Sequence, residues 1–233
     1  MIDPLMPADP SDATPVDPPD KQGAARHAGN IKVTRDDWLF LALDLLISHG
    51  IEHVRVLTLS ERLGVSRSSF YWYFKNRKDL LDALLEHWEA LNTQAIVHAA
   101  DAPAQTITAG ICNLFRCFVD ASLFNPKLDF AVREWSRRSE AVHAIVEQND
   151  RTRVQAIKAL FERHDYDPSE AIVRARVVYY MQIGYYALEI QESMETRLSF
   201  IEGYLLSFTG QAPLRSEVAE FEAYVRSQVM RRT

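Results

Sequence analysis

The chain of 233 residues contains only two cysteines, Cys112 and Cys117, and eight glycines. Five residues of separation put the two thiols on different faces of a helix, so neither a disulfide framework nor a cysteine-rich metal site is available, and free buried thiols are expected. There is no uncharged apolar run of the roughly 18 residues that a membrane span needs, and no basic-then-apolar leader at the N-terminus. A cytoplasmic protein without a membrane partner is the expectation. Period-two alternation bounded by turn residues is scarce, which argues against sheets. There is no glycine-rich phosphate loop, no HExxH and no GxSxG, and neither cysteine has a histidine three or four residues away. Enzyme chemistry has no anchor and no cofactor is implied. His143, Glu147 and Asp150 share a spacing that suits two metal ligands, yet the same spacing describes a solvated helix face, the reading adopted here.

A net charge of −6 excludes a chain that coats nucleic acid through bulk charge. The charge is nevertheless uneven along the sequence. Residues 1–30 hold six of the ten prolines and five aspartates with almost nothing aromatic, and read as a disordered acidic tail. From Thr34 onward apolar residues recur every three and four positions, so the fold class is all-α. Thr34 with Asp37 three residues on forms a capping box ahead of a first helix that ends at Gly50. A second helix runs from about Leu57 to Leu63, and Ser66 caps a third over residues 67–74. Three such short helices cannot bury a core alone, so they are expected to share one with the next helix, at about 78–100. Proline and glycine punctuation places the remaining helices near 104–123, 127–137, 139–164, 168–191, 195–209 and 214–230. Those at 168–191 and 195–209 have more apolar surface than one partner each can cover, which points to self-association.

Gly64-Val65-Ser66 between two short helices has the spacing of a helix-turn-helix. Residues 66–78 contain Arg67, Lys75, Arg77 and Lys78 and no acid, a local +4 that leaves −10 for the remainder. Concentrated positive charge on an otherwise anionic chain suits a phosphate-contacting surface. Interleaved are Ser68, Ser69, Tyr71, Trp72 and Tyr73, able to donate to phosphate oxygens or lie against base edges.

Residues 34–81 resemble the DNA-binding region of the TetR family of one-component transcriptional regulators. The likeness rests on Thr34-Arg35, Ala42 to Leu46 with Gly50, Leu59-Ser60-Glu61-Arg62-Leu63-Gly64-Val65-Ser66, Phe70-Tyr71-Trp72-Tyr73-Phe74, Arg77 and Leu80-Leu81. Arg55, Trp72 and Arg77 depart from residues common in that family, so base preference does not transfer. The resemblance implies an N-terminal three-helix DNA-binding domain (31–80) after the tail (1–30), then a larger helical ligand-binding and dimerisation domain (81–233). It implies a homodimer that binds a palindromic double-stranded operator as a repressor and releases it to a small-molecule effector. Ser66 to Tyr73 would be the recognition helix. Arg67, Ser68 and Trp72 would contact bases, and Ser69, Tyr73 and Arg77 phosphates, with Arg35 and Lys75 completing the DNA-binding set. Val65, Phe70, Tyr71, Phe74 and Leu80 match packing positions. In the larger domain Phe115, Phe118 and Phe130 read as core, and Asn113, Arg116, Arg133, Trp135, Tyr180 and Gln182 as polar or amphipathic groups facing a ligand pocket. Two other classes stay open on the residues alone. A helical ligand- or partner-binding module would dock the basic segment on an acidic protein, and a small-molecule enzyme would need a titrating pair that the sequence does not display.

Overall fold

The first turn of the chain's helical part is fixed by a capping box. Thr34 Oγ1 accepts from the Asp37 backbone N–H at 3.3 Å, and the Asp37 carboxylate accepts from the Thr34 N–H at 2.7 Å. In this computed structural model residues 33–230 are described, with the side chain of Val229 left aside. The acidic tail expected over residues 1–30 lies outside them. Helix α1 (Arg35–His49) is followed by α2 (Val56–Leu63), α3 (Arg67–Phe70) and α4 (Arg77–Trp88). A five-residue π-helical turn, Glu89–Thr93, joins α4 to α5 (Gln94–Asp101). Then come α6 (Ile107–Val119), α7 (Pro126–Ser136), α8 (Glu140–Glu162), α9 (Pro168–Ala187), α10 (Met194–Ser199), α11 (Ile201–Thr209) and α12 (Arg215–Met230). The described residues contain no strand.

Two of the expected helices are subdivided. The segment expected over 78–100 is helical throughout but changes register at the π turn, where Asn92 and Thr93 are buried and turn their polar groups inward. The segment expected over 195–209 breaks at Phe200, between α10 and α11.

Apolar residues collect into two clusters. The first contains Trp38, Leu45, Leu59, Phe70, Phe74, Leu80 and Trp88 from α1 to α4, closed by Leu128, Val132 and Trp135 of α7 and by Val142 and Val146 of α8. The three short helices therefore complete their core with α4 and two later helices, as their small size requires. The second cluster joins α5, α6, α8, α9, α11 and α12 around Ile111, Leu114, Ile157, Phe161, Val178 and Leu205. Cys112 and Cys117 lie in it as free thiols, and burial pushes both to about 12, out of the reactive range.

Where α4, the π turn, α7 and α8 meet, the polar groups converge on Asp129, which is fully buried. Its Oδ1 accepts from Trp88 Nε1 at 2.8 Å and Arg153 Nη1 at 2.9 Å, and its Oδ2 from Arg133 Nε at 2.9 Å. Asn92 Nδ2 donates to the Asn125 carbonyl at 2.8 Å, and Thr93 Oγ1 links Arg153 Nε to Asn149. Tyr179 of α9 closes the network on Arg133, Arg153 and Asp150. Desolvation pushes the Asp129 carboxyl upward, but the two guanidinium groups and the donated hydrogen bonds outweigh it and hold the group below the ordinary value of 3.8.

Removing this carboxylate leaves the buried Arg153 without an acidic partner, while Arg133 keeps Asp150, so Asp129→Ala is expected to cost about 3–5 kcal/mol of unfolding free energy, measured by urea titration. The depressed value makes the ionised group stabilising above pH 3.8, and that contribution fades as pH falls further through the folded-state value. Asp129→Asn is therefore expected to show a shallower loss of stability on acidification than the wild type.

Candidate nucleic-acid interface

A left-handed glycine sets the geometry of the basic segment. Gly64 adopts φ 66° and ψ 30° at the end of α2, a conformation that costs an L-residue, and its N–H returns to the carbonyls of Ser60 and Glu61. The chain then turns within two residues into α3, completing a helix-turn-helix. Ser66 sits at the N-cap in extended conformation, but its hydroxyl makes no capping bond and pairs instead with Ser68 Oγ at 2.8 Å. Helical hydrogen bonding closes at Phe70 and tightens to three-residue spacing through Tyr71, Trp72 and Tyr73. This shortens the expected helix over 67–74. The reason is the core: Phe70 and Phe74 are both buried and stack at 5.3 Å, and Trp38 meets Phe70 edge-on.

With Phe70 and Phe74 turned inward and Tyr73 half-buried, Tyr71 and Trp72 face out. Trp72 is 85% exposed and Tyr71 60%, so Tyr71 lies on the surface and not in the core that the sequence suggested. Arg67, Ser68 and Lys75 are exposed too, and the side chains of Arg67 and Lys75 make no hydrogen bond or ion pair within the described part. Arg35 is exposed at the start of α1, its guanidinium carbon 4.9 Å from the Phe74 ring centre, which keeps a cation beside the turn. Ser69 is half-buried and donates to the Ser66 carbonyl.

Two residues expected at phosphates have structural partners. Tyr73 donates its hydroxyl to the Val33 carbonyl at 2.7 Å. Arg77 donates through Nε to the Val54 carbonyl at 2.6 Å and through Nη2 to the Ile51 carbonyl at 3.0 Å, pinning the segment between α1 and α2 to the start of α4. Lys78 pairs with Asp82 one turn on, at 2.7 Å.

The six residues expected at a ligand pocket do not share one. Asn113 and Arg116 line a polar depression with Glu217 and Glu220, where Arg116 bonds to both Asn113 and Glu220. Arg133 belongs to the Asp129 network, and Trp135 packs in the first core. Tyr180 is exposed on α9 beneath Arg176. Gln182 alone lines the aromatic cavity formed by α6, α9, α10, α11 and α12. Phe115 and Phe118 are buried and form part of its wall, whereas Phe130 is half-buried elsewhere. Tyr185, Tyr186, Tyr204 and Arg197 also line that cavity, and the sequence reading missed all four. The consecutive tyrosines near the end of α9, facing a basic residue across a short connection, were the available signal.

Residues 39–84 match the family model of bacterial regulatory proteins, tetR family. The chain is 40% identical over 75 residues to the tetracycline repressor protein class A from transposon 1721 of Escherichia coli, over 32% of this chain and 35% of that protein. Against the class C tetracycline repressor protein of Escherichia coli it is 43% identical over 61 residues, 26% of this chain and 28% of the relative. The chain thus spans about a third of the length of the curated relatives it matches. Among solved structures, Salmonella enterica GusR superposes with a TM-score of 0.60 at 14% identity, over 76% of this chain and 93% of that one. Mycobacterium smegmatis AmtR gives 0.57 at 18% identity, over 88% and 97%. At such identities the likeness is one of fold.

The geometry separates two arginines, both of which the sequence reading placed on DNA. Arg77→Ala leaves two carbonyls without a charged donor and is expected to cost about 1.5–3 kcal/mol of stability by urea titration. Arg67→Ala, on an open surface, is expected to stay within about 0.5 kcal/mol of the wild type.

Proposed function

We propose, from the match of residues 39–84 to the model of the tetR family of bacterial regulatory proteins, that the chain belongs to that family and is a ligand-responsive transcriptional regulator acting as a repressor on a palindromic operator. The observation that carries this reading is the exposed Arg67, Trp72 and Lys75 set on a helix-turn-helix, in a chain whose remaining charge is strongly negative. Arg67, Ser68 and Trp72 are the proposed base contacts. Arg35, Ser69 and Lys75 are proposed at phosphates. Tyr73 and Arg77 are retained in the DNA-binding set as residues that hold the α3 turn in place, since their hydrogen-bonding groups are engaged.

A single helix-turn-helix reads too few base pairs for a specific site, so two must be held about 34 Å apart on one face of the duplex. Support for a homodimer comes from α9 and α11. Val173, Val177 and Tyr180 form an exposed stripe on α9 that continues to Gly184, where nothing lies within 4 Å of an added Cβ. Leu206 of α11 and Phe200 just before it are likewise about half exposed. We place the dimer contact on these helices, covering of order 2,000 Å² in total as obligate dimers do.

We place the boundary between the DNA-binding and effector domains near residue 80. The two work together through the continuous path from α4 over the π turn to α5, with Asp129 holding α4 against α7 and α8 and Tyr179 extending the hydrogen bonds to α9. An effector that favours a different placement of α9 would shift α4 through these bonds. A coupling of about 1–3 kcal/mol changes operator affinity roughly 5- to 150-fold.

Fluorescence anisotropy against random duplexes and against the DNA flanking the protein's own gene, from 50 to 200 mM salt, is expected to give tight, steeply salt-dependent binding to the flanking DNA with two chains per site. Arg67→Ala should lose about 1–3 kcal/mol of specific affinity if it reads a guanine. Absence of DNA binding at every salt concentration overturns the proposal in favour of a partner-binding module. Sedimentation at micromolar concentration is expected to give a dimer, and a monomer rejects the α9 and α11 interface.

A further inference from the structure

We infer that the cavity bounded by α6, α9, α10, α11 and α12 takes a small amphiphilic carboxylic acid, with its apolar body among the aromatic rings and its carboxylate on the guanidinium of Arg197; the inference rests on reading the chain as ligand-responsive. The cavity, partly open to the surface, measures about 90 Å³. Its walls are Phe115 and Phe118 of α6, Tyr186 of α9, Tyr204 of α11 and Phe221 and Val225 of α12. One polar group of this wall, the Tyr186 hydroxyl, is already engaged, while Tyr204 and Gln182 bring a hydroxyl and an amide to the lining. Tyr186 donates its hydroxyl to the Phe118 carbonyl at 2.9 Å, and its ring stacks on Phe124 at 5.8 Å. What the wall offers a guest is mostly ring and methyl surface.

The mouth differs. Arg197 of α10 is half-buried, its guanidinium carbon 4.4 Å from the Tyr185 ring centre. Its Nε donates to the Tyr185 hydroxyl at 2.7 Å, and no carboxylate of the described residues lies within ion-pair distance of it. The hydroxyl of Tyr185 is donated in turn to Glu192. Tyr185 thus holds the guanidinium from its Nε side and leaves both Nη groups unengaged at the rim, the arrangement that receives a carboxylate through two parallel hydrogen bonds. Glu192 is the one acid at the mouth, exposed on the connection 188–193 and already an acceptor for Tyr185. Glu192 and Arg197 both line the mouth, and Glu192 is the more exposed of the two.

A cavity that holds a benzene ring measures about 150 Å³, so a guest of that size or larger needs the walls to part. Arg197 of α10 is tied to Tyr185 of α9, and parting these two helices enlarges the cavity. That movement acts on the helix that bears the exposed Val173, Val177 and Tyr180 stripe, which gives the guest a means of favouring a second arrangement.

The test is calorimetric titration of the full chain with octanoate, octanol and octylamine, repeated with hexanoate and decanoate and with Arg197→Gln and Arg197→Lys. Octanoate is expected to bind tightest, at one molecule per chain, and each added methylene to tighten binding about fourfold until the walls are full. Arg197→Gln should weaken octanoate tenfold or more while leaving octanol unchanged, and Arg197→Lys should recover part of the loss. A thermal melt of each variant checks that the fold is retained. The inference is overturned if octylamine binds best, which would make Glu192 the anchor, or if affinity ignores the head group. It is equally overturned if Arg197→Gln binds octanoate like the wild type, or if none of the three binds. DNA binding measured on the same preparation separates the two readings. Salt-dependent DNA binding without acid binding removes this inference alone, and acid binding without DNA binding removes the regulator.

Discussion

A carboxylate with no access to water decides how the helices of this protein are arranged. Asp129 accepts from Trp88, Arg133 and Arg153, groups that lie on α4, α7 and α8. An isolated buried charge would be prohibitively costly, so the carboxylate is tolerated only while all three helices keep their places. Directional bonds of this kind fix a relative position that apolar contacts, which lack direction, leave loosely specified. The π turn at Glu89–Thr93 belongs to the same arrangement, because its changed register turns Asn92 toward the Asn125 carbonyl and Thr93 toward Arg153 and Asn149. The connecting helix is thus held at the point where it leaves one apolar cluster and enters the other.

The basic turn depends on a different constraint. Five consecutive large aromatics, Phe70 to Phe74, cannot all be buried by a four-residue helix. The fold buries Phe70 and Phe74, engages Tyr73 with the chain at Val33, and turns Tyr71 and Trp72 outward. Large rings left in water are unfavourable for stability unless a partner covers them, and a duplex groove supplies both apolar and acceptor surface. The same division explains why Arg77 and Arg67 have different roles although each stands in a basic stretch.

Much of this was legible in the sequence. Thr34 and Asp37 gave the first cap, Gly64 the turn, and the prolines at 126 and 168 the starts of α7 and α9. These are local features, decided within a few residues by backbone sterics and hydrogen bonding. The residues of the helix-turn-helix were readable for the same reason, along with the charge that concentrates there. The candidate pocket was not. Asn113, Arg116, Arg133, Trp135 and Tyr180 are polar or amphipathic residues on helices, and a helix face carries no mark of whether it meets a cavity, an ion pair or solvent. Arg133 and Arg153 gave no sign of burial, since their carboxylate partners are supplied partly by other helices.

The sequence by itself determined that the chain is helical from Thr34 onward, where its main helices begin, that a helix-turn-helix turns at Gly64, and that positive charge gathers beside it, because each of these rests on neighbours in the chain. Only the tertiary structure decided which arginines are tied down, which aromatics face outward, where a cavity remains between α6, α9 and α12, and that Arg197 stands at its mouth. Those outcomes depend on contacts between residues far apart in sequence, such as Trp88 with Asp129 and Tyr186 with Phe118, and hydrophobic periodicity specifies that a face is buried without specifying against what.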